Sequence, residues 1–231
     1  MSNKSVNVVC LKWGTKYDAY YVNVLYTMVR RHLLLPHRFF CITDNPVGLD
    51  EGITILPLIT EPGLKGWWYK LSLFRGKIYG DDLVGTTLFL DLDVVIQDTI
   101  DCLFDYDSGG FIILKDWAFT GDIWNSSVFR IEIGDHKDVW KDFVQDKHQI
   151  MRRLHGDQDW ISEKITNPKI WPSEWIVSFK HHCDPEPPAD AKIVVFHGDP
   201  KPDEAKANFI SEHWWYLKKP RWFKKLMKLN R

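Results

Sequence analysis

Two aspartates, Asp91 and Asp93, interrupt the otherwise apolar run LFLDLDVV at 88–95. An unpaired carboxylate in a buried strand is costly, so the pair calls for a partner. Residues i and i+2 of a strand point to the same side, and the C-terminal ends of strands in open α/β sheets bind ligands. Two oxygen donors at such an end are typical of a Mg²⁺ or Mn²⁺ site facing a phosphate-bearing ligand. The alternative is that both acids begin a loop and face water, or cap the next helix.

Two chemistries use this pattern of an apolar strand followed by paired acids. One is sugar transfer from a nucleotide diphosphate, and the other is the phosphohydrolase reaction of the haloacid-dehalogenase type, in which Asp91 would be the nucleophile. The phosphohydrolases usually carry the motif on their first strand and paired acids on a late strand. Here the motif lies on about the fourth strand, and the late stretch KIVVFHGDPKP supplies His and Lys, which favours sugar transfer. A non-catalytic glycan-binding protein is a third alternative.

Four motifs occur in an order that resembles the GT-A-fold glycosyltransferases, specifically glycosyltransferase family 8 and its small bacterial relatives. They are D-x-D at Asp91–Asp93, NSSVF from Asn125, GDQDW from Gly156 and HGDPKP from His197. The resemblance covers roughly residues 6–202. It implies a Rossmann-like α/β fold with a mostly parallel central sheet flanked by helices. It also implies a UDP-sugar donor, a divalent metal, and a glycan or lipid-linked acceptor of the kind used in cell-surface polysaccharide synthesis.

The resemblance assigns the metal and diphosphate contacts to two motifs. It implies that Asp91 and Asp93 hold the cation and the donor ribose or diphosphate, with His197 as a third metal ligand. Gly198 and Lys201 resemble the G-x-x-K-P element that closes on the diphosphate. The family usually places two more residues between the histidine and the glycine, whereas His197 directly precedes Gly198.

The other two motifs are assigned to the transferred sugar. Asn125 and Ser126 occupy the place of the family's N-A-G segment, although Ser126–Ser127 replaces Ala–Gly. Asp157 and Gln158 match the D-Q-D motif that faces the sugar. An aspartate in this place can act as a base in an inverting reaction, whereas a glutamine can only stabilise an oxocarbenium-like state in a retaining one. The resemblance favours retention, and the alternative for Asp157 is a helix N-cap.

Five residues outside these motifs are further candidates for donor binding. Lys70 would add positive charge near the phosphates, or be a solvated lysine on a helix face. Trp13 or Tyr17 would stack on the nucleobase, with Gly14 allowing close backbone approach. Asp44 would accept a hydrogen bond from the base or the ribose, or form an Asx turn before a proline.

The elements that must position these residues follow an alternating pattern of strands and helices. Strands are predicted at 6–11, 37–43, 53–59, 86–96, 109–116, 125–132 and 191–196, and helices at 17–34, 67–79, 137–145 and 157–165. Such alternation in the first hundred residues predicts a mostly parallel sheet. With 231 residues and no linker that divides them, one domain over 1–217 is expected, followed by a tail at 218–231.

Charge is distributed unevenly between the predicted domain and the tail. The whole chain has a net charge of −1, and the tail carries seven basic residues and no acid, so residues 1–217 carry −8. As a helix, the tail segment 222–230 places its lysines opposite Trp, Phe, Leu and Met side chains, which predicts binding to an anionic membrane surface. The alternatives are a solvated tail or one packed on the domain. The acidic body disfavours nucleic acid as a partner.

Cysteine usage and the N-terminal sequence bear on location. The four cysteines are scattered, and Cys10 and Cys41 lie in apolar strand-like stretches typical of reduced, buried thiols. The chain begins with a short polar lead rather than a signal-peptide-like segment. We therefore expect a cytoplasmic protein, peripheral to the inner face of the membrane if the tail binds there. Twelve tryptophans, two pairs of them adjacent, are unusual, and sugar-binding proteins favour aromatic faces.

Overall fold

The structure is a computed structural model that describes residues 5–216, except 78, 81, 108, 119, 120 and 122. Ten strands are present in this part of the chain: β1 Val6–Lys12, β2 His37–Thr43, β3 Thr54–Pro57, β4 Thr86–Leu90, β5 Val94–Ile96, β6 Ile112–Lys115, β7 Trp124–Glu132, β8 Lys169–Ile170, β9 Ile176–Ser178 and β10 Ile193–Val195. The α-helices are α1 Ala19–His32, α2 Cys102–Asp105, α3 Lys137–Arg153, α4 Asp157–Lys164, α5 Phe179–His182 and α6 Asn208–His213, and a 3₁₀ helix spans Gly66–Arg75. The predicted tail at 218–231 lies outside the described residues.

The central sheet has seven strands in the order β3-β2-β1-β4-β7-β6-β8. The pairs β3–β2, β2–β1, β1–β4 and β6–β8 are parallel, while β7 runs antiparallel to both of its neighbours. The prediction of an α/β fold with a mostly parallel central sheet is confirmed. Because β7 is antiparallel to β4, its first residues lie at the same sheet edge as the C-terminal ends of β1, β2 and β4.

Hydrophobic layers cover both faces of the central sheet, as a buried parallel sheet requires. Successive residues of β1 alternate between the two layers: Val8 packs with the side chains of α1, and Val9 packs with those of the 3₁₀ helix, α3 and α4. A second, three-stranded sheet in the order β5-β10-β9 packs in the α1 layer. No helix in the described part of the chain combines the length and apolar character that crossing a membrane requires.

The predicted strand 86–96 is wrong as a single element, because it forms two strands that belong to different sheets. Strand β4 ends at Leu90 in the central sheet, and β5 begins at Val94 in the small sheet. The chain changes sheets between them, so Asp91 and Asp93 lie in a connection rather than on one strand face.

The predicted helix 67–79 is instead a 3₁₀ helix that ends at Arg75. In a 3₁₀ helix, side chains at i and i+3 lie in line. Trp68, Leu71 and Phe74 follow this period of three and are all buried in the layer beside α3. A second row at the same spacing contains Trp67, Lys70 and Leu73. Trp67 is exposed, whereas Lys70 and Leu73 are buried.

Candidate functional site

The connection that carries Asp91 and Asp93 is fixed by main-chain hydrogen bonds on both sides. The backbone N–H of Asp91 donates to the Ser127 carbonyl of β7 at 2.9 Å. The backbone carbonyl of Asp93 accepts from the N–H of Phe196, just after β10, at 3.1 Å. Each aspartate is therefore held by a different sheet.

Lys70 lies among the acidic side chains, which excludes the alternative of a solvated lysine. Its side chain is only 6% exposed, and its Nζ lies 3.1 Å from Asp91 Oδ1 and 3.6 Å from Asp157 Oδ2. It also donates to the carbonyl and the Oγ of Ser126, at 3.1 and 3.0 Å. Burial lowers the pKa of Lys70, but the attraction of Asp157 and Asp91 outweighs burial, so the pKa is raised and the ammonium stays charged.

Asp91 faces more negative charge than Lys70 offsets. Burial raises the pKa of its carboxyl, Lys70 lowers it, and Asp93 and Asp157 raise it again, with a net result of about 6. A divalent cation close to Asp91 and Asp93 would relieve this surplus. Proteins usually hold Mg²⁺ by one or two carboxylates together with waters and substrate phosphates, so Asp91 and Asp93 are the residues that could hold such an ion.

Asp157 is the first residue of α4 and is buried, with 4% exposure. One of its oxygens, Oδ2, accepts a 2.7 Å hydrogen bond from Ser126 Oγ. The N-cap position belongs to Gly156, and Asp159 supplies the capping interaction by accepting from the N–H groups of His155 and Gly156. The alternative that Asp157 is only an N-cap is wrong. Its neighbour Gln158 is half-buried.

Lys201 and Tyr17 converge on Asp93. Lys201 Nζ lies 2.5 Å from Asp93 Oδ2, and the Tyr17 hydroxyl donates to the same oxygen at 2.8 Å. Burial and the Asp93 charge raise the pKa of Tyr17, so it stays a donor. The sequence predicted Tyr17 as a base-stacking residue, whereas the structure places its hydroxyl at the D-x-D motif. Asp203, near Lys201, accepts from Tyr21 Oη at 2.5 Å and so ties the 197–204 loop to α1.

The loops after β1 and β2 lie at the same edge and are joined to each other. Asp44 Oδ2 accepts from the backbone N–H of Gly14 at 3.0 Å, and Gly14 has a φ of +58°, a conformation that favours glycine. Asp44 therefore braces the loop that carries Gly14 and half-buried Trp13. The Asx turn in this stretch is made instead by Asn45, whose Oδ1 accepts from the N–H of Val47.

Asn125, at the start of β7, is buried and held from both sides. Its Oδ1 accepts from the Ser127 N–H at 3.0 Å, and its Nδ2 donates to Asp116 Oδ2 at 3.3 Å. Ser126 lies between Lys70 and Asp157, as described above. The NSS segment thus brings together the groups predicted to surround the transferred sugar.

His197 follows β10 next to Gly198 but is bound to other partners. Its Nε2 lies 2.6 Å from Ser178 Oγ, and its ring stacks between Trp117 and His181, with centroids 5.7 and 5.5 Å away. Burial, Lys180 and His181 lower its pKa. In the described part of the chain, no group of three or more His, Cys, Asp or Glu side chains is arranged to hold a metal ion. The metal-ligand role of His197 stays a prediction.

The structure therefore brings two predicted sets together at one sheet edge. In the first set, Asp91 pairs with Lys70 and Asp93 pairs with Lys201. In the second set, Ser126 of the NSS segment binds Asp157 of the D-Q-D segment. Sequence reasoning missed the Tyr21–Asp203 link and the His197 stack, since both depend on distant segments. The four cysteines are free, as predicted, with Cys10 and Cys41 buried side by side in β1 and β2.

The mixed α/β architecture, with its seven-stranded, mostly parallel central sheet and flanking helices, is that of the GT-A fold, which many glycosyltransferases share. Two solved structures of LgtC share it. The first is an active-site mutant, with a TM-score of 0.63 and 14% sequence identity, and the alignment covers 94% of this chain and 99% of that one. The second is the galactosyltransferase LgtC in complex with donor and acceptor sugar analogs, with a TM-score of 0.61 and 14% identity, and the alignment covers 95% of this chain and 99% of that one. The apo-form glycosyltransferase GlyE of Streptococcus pneumoniae is also similar, with a TM-score of 0.59, 14% identity and coverage of 86% of this chain and 56% of that one.

Sequence comparison adds nothing to this structural likeness. No family model matches the chain, and no curated protein matches it. At 14% identity the solved structures establish the fold alone. Donor, acceptor and mechanism rest on the site itself.

Proposed function

We propose that this protein is a metal-dependent glycosyltransferase that transfers a sugar from a nucleotide diphosphate, a UDP-sugar, to a glycan or lipid-linked acceptor. The observation that carries the proposal is the cluster in which Asp91, Asp93 and Asp157 share Lys70 and Lys201 at the ligand-binding edge of a GT-A fold. The structural likeness to a galactosyltransferase solved with donor and acceptor sugar analogs supports it.

Asp91 and Asp93 would hold Mn²⁺ or Mg²⁺, which would supply charge neutralisation for the leaving diphosphate. Lys201 would move from Asp93 to the diphosphate and, with Gly198, close the loop over it. Lys70 would hold Asp157 and Asp91 in place through its ion pairs with both. His197 would serve as a further metal ligand only if its bond to Ser178 were exchanged, so we assign the metal to the aspartates first.

The nucleoside would occupy the loops after β1 and β2, where Trp13 offers its ring, Gly14 its backbone and Asp44 its free oxygen. Tyr17 would orient Asp93 rather than stack on the base. This departs from the sequence prediction and follows from the hydrogen bond between Tyr17 and Asp93.

The transferred sugar would lie between the NSS and D-Q-D segments, against Asn125, Ser126, Asp157 and Gln158. Asp157 Oδ2 accepts from Ser126 and lies 3.6 Å from Lys70, so this oxygen is already engaged by two donors rather than free to accept from an acceptor hydroxyl. This supports a retaining reaction, with Gln158 facing the developing positive charge of the sugar. The geometry favours sugar transfer over the phosphohydrolase alternative, because the aspartates follow β4 rather than the first strand.

Location and membrane binding rest on the sequence alone. We propose a cytoplasmic protein whose basic segment 218–231 binds the anionic inner face of a membrane, where a lipid-linked acceptor would be available. The seven basic residues of that segment support this placement.

Calorimetric titration of UDP and of GDP, each with Mn²⁺ and with EDTA, tests the proposal. We expect UDP to bind only with Mn²⁺, and Asp93→Asn to abolish binding. The matched control is Asp98→Asn, which removes a surface carboxylate paired with Lys192 and leaves the site intact. If neither nucleotide binds, or if binding ignores both metal and Asp93, the proposal is wrong. A positive result leads to a screen of UDP-sugars for hydrolysis.

A further inference from the structure

Trp67 is the exposed member among the eleven tryptophans of the described part of the chain. It is 52% exposed, while the next residue, Trp68, is 4% exposed. Single exposed apolar side chains are common on protein surfaces, so the inference rests on the contacts and the position of this indole rather than on its exposure.

The Trp67 ring is held in one position although it is exposed. Its Nε1 donates to the backbone carbonyl of His155 at 3.1 Å. The ring also lies close to Gly156: a Cβ at that position would be 2.8 Å from Trp67 Nε1 and 3.2 Å from Cδ1. The absence of a side chain at Gly156 lets the indole approach the backbone. A rigid aromatic face of this kind binds a ligand at low cost in conformational entropy.

Two chain segments place this ring at the rim of the acidic site. Along the 3₁₀ helix, Trp67 is three residues before Lys70 and therefore in line with it, and Lys70 reaches Asp91 and Asp157. On the other side, the ring lies against Gly156, which directly precedes Asp157. The exposed indole thus lies one helical turn from Lys70, the residue that pairs with Asp91 and Asp157.

We propose that Trp67 is the stacking platform for a pyranose ring of the acceptor. The proposal rests on the proposed glycosyltransferase function and deepens it by naming the chemistry of the acceptor subsite. The donor groups around Asp157, Ser126 and Asn125 are polar and buried, and they suit a sugar enclosed before reaction. The substrate that arrives from solvent meets the outer ring, and the C–H face of a pyranose is the part of a sugar that packs on an indole.

The test uses the full chain, UDP and Mg²⁺, and the methyl β-glycosides of glucose, galactose and N-acetylglucosamine as probes. Two NMR observations are made: the indole N–H shift of Trp67, assigned by its loss in Trp67→Phe, and saturation transfer to the pyranoside C–H protons. Titrations are repeated without UDP. Trp215→Ala is the matched control. The Nε1 of Trp215 also donates to a backbone carbonyl, that of Glu212, and its ring lies against Arg31 in the last turn of α1.

We expect at least one pyranoside to shift the Trp67 indole. Its affinity should fall about tenfold in Trp67→Ala, less in Trp67→Phe and not at all in Trp215→Ala, with unchanged UDP affinity. Once a donor is known, Trp67→Ala should raise the acceptor KM by more than it lowers kcat.

Three results would overturn the inference. Pyranosides could bind wild type and Trp67→Ala with the same affinity, or no pyranoside could bind the UDP-loaded protein. Trp67→Ala could also lose affinity for UDP, which would make the ring a nucleotide contact. Failure of the proposed function looks different. If UDP does not bind but pyranosides still shift Trp67, the platform stands and the protein is a glycan-binding protein.

Discussion

Replacement of Lys70 by methionine tests whether the buried ammonium holds the acidic site together. The side chains are similar in length, but the variant leaves Asp157, whose side chain is 5% exposed, and Asp91, whose side chain is 28% exposed, without their shared cation. Removing one partner of a buried ion pair costs about 3–5 kcal/mol. For a chain of this size, a loss of 3 kcal/mol lowers the melting temperature by about 6–12 °C.

Urea unfolding followed by circular dichroism measures this cost, and a double-mutant cycle assigns it. Adding Asp157→Asn to Lys70→Met should recover about 1–3 kcal/mol, because the orphaned carboxylate is gone. The control Lys164→Met removes a lysine whose side chain is 24% exposed and paired with Asp142, and it should cost less than about 1 kcal/mol. A Lys70→Met protein as stable as wild type, or costs that simply add in the double variant, would refute the role assigned to Lys70.

Three further outcomes are expected. Lys201→Gln should tighten Mn²⁺ binding measured without nucleotide, because the ammonium no longer competes for Asp93. The same variant should weaken UDP binding in the presence of Mn²⁺ by about tenfold, since a phosphate contact is lost. If both affinities changed in the same direction, the proposed movement of Lys201 from Asp93 to the diphosphate would be contradicted. Burial, Arg31 and His213 lower the pKa of His32 to about 4 from 6.5. The folded protein therefore binds fewer protons than the unfolded chain in that window, and the free energy of unfolding falls as the pH drops from 6.5 toward 4. His32→Gln should remove about 1–2 kcal/mol of this loss in urea titrations, because solvent screens part of the effect on a half-buried ring; an unchanged acid slope would count against it. Gly52→Ala should lower the free energy of unfolding by about 1–3 kcal/mol, because the new Cβ would lie 2.0 Å from the Tyr26 hydroxyl. Adding Tyr26→Phe should recover part of this loss. If Gly52→Ala cost the same with and without the hydroxyl, the clash would be excluded.

The sequence predicts those parts of the fold that local patterns determine. The β-branched run of β1 and the helical spacing of α1 are both confirmed, and so is the parallel sheet that their alternation implies. Two groups of the residues proposed for the site are in contact: Asp91 and Asp157 with Lys70, and Asp93 with Lys201. The loops that follow β1, β2 and β4 meet at one sheet edge because these strands are parallel.

What the sequence does not predict depends on long-range pairing. The apolar run 86–96 gives no local sign that it changes sheets after Leu90, because both halves are equally buried. The position of Lys70 depends on the packing of the 3₁₀ helix, and Tyr17 finds Asp93 across 76 residues of sequence. A period of three in Trp68, Leu71 and Phe74 is the one available signal for the 3₁₀ helix, and it is easily taken for an α-helical pattern.

Because the chain changes sheets between β4 and β5, the D-x-D motif connects the large sheet to the small one. Asp91 is held by β7 of the large sheet, and Asp93 by the chain after β10 of the small one. A ligand bound to both carboxylates therefore acts as a non-covalent cross-link between two separately built layers. A change that loosens the small sheet would therefore weaken the binding of such a ligand. Binding of the ligand would in turn stabilise the small sheet by the same free energy, because the two equilibria are linked.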